Sequence, residues 1–129
     1  MQDPSDIDTC ASKTILIIED DADISELLLQ ALQDETPYQV LLATEGFQAL
    51  EMVSGIVPHL ILIDYLLPNM DGLECIRHLR ATKGTEETPI ILMSAFFPKH
   101  AAERKDILLL EKPFELGTFL QQVKHLLHG

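Results

Sequence analysis

Basic residues are scarce in this chain, nine Lys and Arg against 21 Asp and Glu, for a net charge of −12 at pH 7. A field of that sign repels nucleic acid and anionic membranes, which argues against direct nucleic acid binding. Cysteine is almost absent: Cys10 and Cys75 are far apart, match no metal or redox spacing, and read as free thiols. Long apolar runs are missing too. No stretch approaches the roughly eighteen apolar residues of a membrane helix, and the N-terminus lacks a basic, apolar, small-residue signal, so no membrane role and a cytoplasmic location are expected. The five histidines, His59, His78, His100, His125 and His128, are scattered, which argues against a histidine metal site and for surface positions.

What is present suits one folded domain. The chain has 129 residues, 47% of them hydrophobic, enough for a core without disulfides or a structural metal. Residues 1–12 have no periodicity and read as a loose leader, leaving 13–129 as the domain. "KTILII" is a first strand that stops at "EDDAD". Ile24, Leu27, Leu28, Ala31 and Leu32 then form the one-sided stripe of a helix. "YQVLLA" is a second strand, and "EGFQALEMVSG" a second helix with Phe47, Leu50 and Val53 inward. "HLILID" is the third strand, and Leu73, Ile76 and Leu79 mark a third helix. "IILMS" is the fourth strand, "AFFPKHAAERKD" a polar stretch with at most two helical turns, and "ILLLE" the fifth strand. Leu116, Phe119, Leu120, Val123 and Leu127 mark a last helix. Strands that are continuous apolar runs, alternating with helices, predict a parallel sheet covered on both faces.

In such sheets ligands bind beyond the carboxyl ends of the strands, where strand order reverses. Strand one ends in Glu19, Asp20 and Asp21, strand three in Asp64 and strand four in Ser94, and strand five reaches Lys112. In the order 2-1-3-4-5 the switch point brings the acidic cluster to Asp64. Crowded carboxylates raise one another's pKa unless a cation joins them. All-oxygen ligands suit Mg2+ or Mn2+. Asp64 is then placed to ligate the ion and to attack phosphorus as a carboxylate nucleophile, with Lys112 and Ser94 covering phosphoryl oxygens.

"ILIIEDDADI", "LILIDYLLPNMDG", "PIILMSA" and "EKPF", in that order, with 44 residues from Asp20 to Asp64 and 30 from Asp64 to Ser94, resemble the CheY-like receiver domain of two-component response regulators over residues 13–128. The resemblance implies an α/β fold: a five-stranded parallel sheet of order 2-1-3-4-5, flavodoxin-like and doubly wound. It also implies that Asp64 is the phosphoacceptor, that Asp20 and the Leu66 carbonyl ligate Mg2+ (or Mn2+), and that Glu19 does so through water. Ser94 and Lys112 would bind the phosphoryl group, and Lys112-Pro113 is the candidate cis bond. Asp21 is left as a third acid and a helix cap. The implied partners are a sensor histidine kinase or phosphotransfer protein, docking on the first helix, and a downstream effector; a homodimer stays open. The implied role is that of a signalling domain rather than an enzyme, in phosphorelay signal transduction, with self-catalysed phosphotransfer and dephosphorylation.

Two departures from the family pattern stand out. Leu109 occupies the place, three before the lysine, where receivers usually carry a switching aromatic. Only 18 positions separate Ser94 from Lys112, so the fourth helix should be stunted. Phe96 and Phe97 are candidates for the switch, for a docking patch, or for closing the core over the shortened segment. Leu66 and Phe96, two residues past Asp64 and Ser94, cannot position a hydrolytic water, which predicts slow dephosphorylation. Three other readings compete. A receiver-like scaffold that no longer cycles phosphate fits the departures. An aspartyl-nucleophile phosphatase needs a second aspartate where Leu66 stands. A flavin domain of the same fold would have its phosphate repelled by "EDDAD".

Overall fold

The computed structural model describes residues 13–128, without the His128 side chain, so the leader and Cys10 lie outside the described residues. Five strands and five helices alternate: β1 Thr14–Ile18, α1 Ala22–Glu35, β2 Gln39–Ala43, α2 Gly46–Val53, β3 Leu60–Asp64, α3 Gly72–Arg80, β4 Ile90–Ser94, α4 Lys99–Ala102, β5 Leu108–Glu111 and α5 Leu116–His128. The sheet has the order β2-β1-β3-β4-β5, and every pair in it is parallel.

Strand parity divides the core into two layers. Ile15, Ile17, Leu60, Leu62, Ile91 and Met93 face Leu28 and Leu32 of α1 and Phe119 and Val123 of α5. Leu16, Ile18, Ile61, Ile63, Ile90 and Leu92 face Ala49 and Val53 of α2 and Ile76 and Leu79 of α3. Residues of β1, β3 and β4 are buried throughout, as apolar runs between two helical layers require. β2 and β5 are the edges and are only partly covered, so continuous burial does not extend to them.

Helix starts follow their caps. The Asp21 carboxylate accepts from the Asp23 and Ile24 amides at 2.9 and 3.2 Å, and Asp71 accepts from the Glu74 amide at 2.8 Å. Two stripe assignments need correction. Phe47 is 57% exposed, because the closely packed Gly46 and the small Ala49 form the inward face of α2. Leu27 is 53% exposed, because Ser25, Leu28 and Leu32 face the sheet. The shortened fourth helix is a single turn, anchored by buried Ala101. Beside it Arg80 ties the chain together, donating to Asp106 and to the Thr85 and Thr88 carbonyls. His59, His100 and His125 are exposed and His78 is half-buried. Cys75 is fully buried, and burial pushes its thiol up to about 12, so it packs rather than reacts.

Candidate functional site

The carboxyl ends of β1, β3 and β5 converge through their parity. Asp64 continues the Leu60 and Leu62 series of β3, and Glu19 and Lys112 stand two residues past Ile17 and Leu110, all in the α1–α5 layer. Glu19, Asp20 and Asp64 thereby bring one carboxylate oxygen each within 4.8 Å of one another. Asp20 is exposed, whereas Glu19 and Asp64 are only 1% and 6% exposed. Lys112 bridges the buried pair: its Nζ donates to Asp64 Oδ1 at 2.7 Å and to Glu19 Oε1 at 3.3 Å. Asp21 is turned away into its cap, although its amide donates to Glu19 Oε2 at 3.3 Å.

Burial and the repulsion of Asp64 hold the Glu19 carboxyl above the ordinary carboxylate range, against the attraction of Lys112. Burial of Lys112 pulls its ammonium down, but the Asp64 hydrogen bond and the two nearby acids outweigh it and leave its pKa raised. The site is thus an acidic pocket with one fixed ammonium. Three oxygen donors with surplus negative charge suit a hard divalent cation, so the residues fit such an ion on donor chemistry alone.

Ser94 is buried at the end of β4 but carries the parity of Ile90 and Leu92, the other layer. Its hydroxyl donates to the Phe96 carbonyl at 2.6 Å and accepts from the Phe96 amide at 3.2 Å, so it is held in its own turn and not bonded to Asp64. The Lys112 amide donates to the Ser94 carbonyl at 2.8 Å, which aligns the last two strand ends, and Lys112-Pro113 is cis. Leu66 and Phe96 are 73% and 86% exposed. The two phenylalanines separate: Phe96 projects outward, while Phe97 packs half-buried in the same apolar cluster as Leu109 and Tyr65.

Gly72 is a site residue that residue chemistry alone does not reveal. A Cβ there would stand 2.6 Å from the Asp64 carbonyl oxygen and 2.9 Å from Tyr65 Cα. Its amide donates to the Tyr65 carbonyl at 2.7 Å, folding the loop from 65 to 71 back against β3. The "NMDG" run signals a turn, but not this approach to Asp64. Asn69 takes φ 72° in that loop and its side chain donates to Glu45 at 2.9 Å.

The carboxyl edge of this five-stranded 2-1-3-4-5 sheet thus carries an acid trio and a lysine. Residues 15–124 match the response regulator receiver domain, and the chain belongs to that family. It is 34% identical over 122 residues to the response regulator MprA of Mycobacterium ulcerans, covering 90% of this chain and 50% of that protein. The chain therefore spans about half the length of the curated relatives it matches. A response regulator structure from Chloroflexus aurantiacus superimposes with TM-score 0.81 at 30% identity, covering 91% of this chain and 98% of that one. The receiver domain of a signal transduction histidine kinase from Syntrophus aciditrophicus gives 0.80 at 29%, covering 91% of each chain.

Proposed function

We propose that the domain accepts a phosphoryl group on Asp64 from a phosphohistidine of a sensor histidine kinase or phosphotransfer protein, with Mg2+ or Mn2+ held by Glu19, Asp20, Asp64 and the Leu66 carbonyl. The observation that carries this is the Lys112 ammonium, 2.7 Å from the Asp64 carboxylate inside an acid trio. A structural carboxylate would be matched by its lysine, whereas here surplus acid is kept beside the paired one. A bound divalent cation supplies charge neutralisation for the carboxylates and for a phosphoryl oxygen.

In the transfer an Asp64 oxygen forms a bond to phosphorus as the P–N bond to the donor histidine breaks. The bonding pair returns to the imidazole, and the acyl phosphate stays on Asp64. Lys112 holds the Asp64 carboxylate in place and offsets charge on the transferred group. Ser94 donates to the phosphoryl group only after giving up its bond to the Phe96 carbonyl, which links phosphorylation to the turn carrying Phe96 and Phe97. The donor docks on α1, where Ile24, Leu27 and Leu28 with Pro113, Phe114 and Leu116 line an apolar cavity of about 350 Å³ beside Lys112. Exposed Leu27 thereby gains a role that core packing does not give it. Among the described residues no helix is long and apolar enough to cross a membrane. On this reading residues 13–129 form the domain that performs the transfer, and it does so in the cytoplasm.

Incubation with a small acyl phosphate, with and without Mg2+, followed by intact mass, tests the proposal. One added phosphoryl group that requires Mg2+ and is absent from Asp64→Asn is the expected result. No adduct, with Mg2+ binding confirmed separately, overturns it in favour of a scaffold that does not cycle phosphate.

A further inference from the structure

Charge is unevenly shared along this acidic chain. Residues 77–105 hold six of the nine Lys and Arg and three of the 21 Asp and Glu, a local net of +3 that leaves −15 for the rest. The fold gathers part of this segment on one surface. Arg77 and Arg80 on α3 face His100 and Arg104, in and just after α4, across a groove of about 480 Å³.

Not every charge in the groove is free to bind. Asp106 accepts from Arg80 Nε at 2.9 Å and from Arg104 Nη2 at 2.6 Å, so one carboxylate is shared between two guanidiniums. Those bonds hold Asp106 far below the usual carboxylate range, and this trio keeps its surplus positive charge at any physiological pH. Arg77 and His100 are exposed and form no ion pair with an acid among the described residues. The groove also contains Asp71 and Glu74, both at the N-terminal end of α3, with Asp71 engaged as its cap. Its charge is therefore graded along α3, acidic at the start of the helix and basic toward the end. Half-buried Leu73 and Tyr65 supply apolar floor.

We propose that the α3–α4 groove docks an acidic segment of a partner protein, its carboxylates meeting Arg77, His100 and Arg104 and an apolar side chain resting on Leu73 and Tyr65. Charge complementarity selects this occupant. A nucleic acid would bring its long phosphate backbone against the −15 remainder of the surface. A second copy brings a net −12 of its own and, docking its acidic face on this groove, would make a head-to-tail contact with no symmetry to close it. A short acidic segment need span only the basic end of the groove, around Arg77, His100 and Arg104, and gains from attraction there. Docking needs no phosphate on Asp64, so it stands or falls separately from phosphotransfer.

The test uses a fluorescent peptide of Glu and Asp with one Leu and one Phe, added to the unphosphorylated protein, with anisotropy for affinity and 15N chemical shifts for location. Binding should weaken with salt, shift Leu73, Arg77 and Ala101, and fall about fivefold or more in Arg77→Glu/His100→Glu, whose exposed sites leave the fold intact by thermal melting. Shifts elsewhere, an unchanged affinity in the double variant, or equal binding of a matched Lys-rich peptide or a single-stranded oligonucleotide would overturn the proposal. So would self-association in sedimentation that the double variant abolishes, since the occupant would then be a second copy.

Discussion

Replacing Asp20 by Asn should make the domain more stable in buffer free of divalent cations. The three carboxylates have oxygens within 4.8 Å of one another. Two unit charges at that spacing repel by about 1 kcal/mol in water-like surroundings and about 3.5 kcal/mol at an effective dielectric constant of 20. Asp20 is exposed, so the lower figure applies to its pairs with Glu19 and Asp64. Lys112 pairs with those two acids and not with Asp20, and its attraction for Asp20 offsets part of the repulsion. A net gain of about 1 kcal/mol remains, which for a domain of this size raises the melting midpoint by about 3 to 5 °C. Mg2+ should act in the opposite sense on the comparison. At about ten times its dissociation constant it stabilises the unaltered protein by about 1.4 kcal/mol, and the variant, lacking one ligand, should gain less than half of that. Thermal melts of both proteins in EDTA and in Mg2+ make the check. A variant that is no more stable in EDTA and keeps the full Mg2+ response would refute the idea that these acids share one cation.

Three further outcomes follow from the same geometry. Glu19 has a folded pKa raised above the ordinary 4.5, so the folded protein holds that proton more tightly than the unfolded chain. Its stabilising effect is complete below the ordinary value and is lost as pH rises through the raised one. Glu19→Gln should flatten the curve in EDTA from the ordinary carboxylate value upward and be the more stable protein once pH has passed the raised one, and a curve parallel to the parent's sinks the argument. Gly72→Ala places a methyl 2.6 Å from a backbone oxygen that cannot rotate away. It should cost about 1 to 3 kcal/mol in urea unfolding and slow acyl phosphate labelling of Asp64; no change in either would show that the loop yields freely. With apolar Leu66 and Phe96 exposed at the site's rim, the phosphorylated form should persist for minutes or longer, and decay within seconds in Mg2+ would contradict that.

Much of the fold was legible because burial writes itself into residue type. β1, β3 and β4 lie between two helical layers and so are apolar except at their ends, where Thr14, Asp64 and Ser94 stand, and the caps at Asp21 and Asp71 satisfy a local backbone need. Phe47 and Leu27 were misplaced because periodicity marks an apolar stripe without saying which of its members the sheet reaches. Phe96 and Phe97 are neighbours of one type with opposite fates, since beyond the Ser94 turn one projects outward and the other packs half-buried against the α2–α3 side of the core. Gly72 carries no chemistry of its own, and its role appears only where Asp64 and Tyr65 come against it.

The sequence alone determined the strand and helix order, the acids at the strand ends and the shortened segment after Ser94, since each depends on neighbours a few positions away. Only the tertiary structure decided what answers Asp64. No basic residue lies near it along the chain, yet Lys112, 48 positions later, stands 2.7 Å away, because β3 and β5 end at the same edge with the same parity. Likewise only the fold brings Arg77 and Arg80 on α3 and His100 and Arg104, in and just after α4, to the basic end of one groove on an acidic protein. Local pattern can place a charge on an element; which charges meet depends on strand order and helix packing, set by long-range burial.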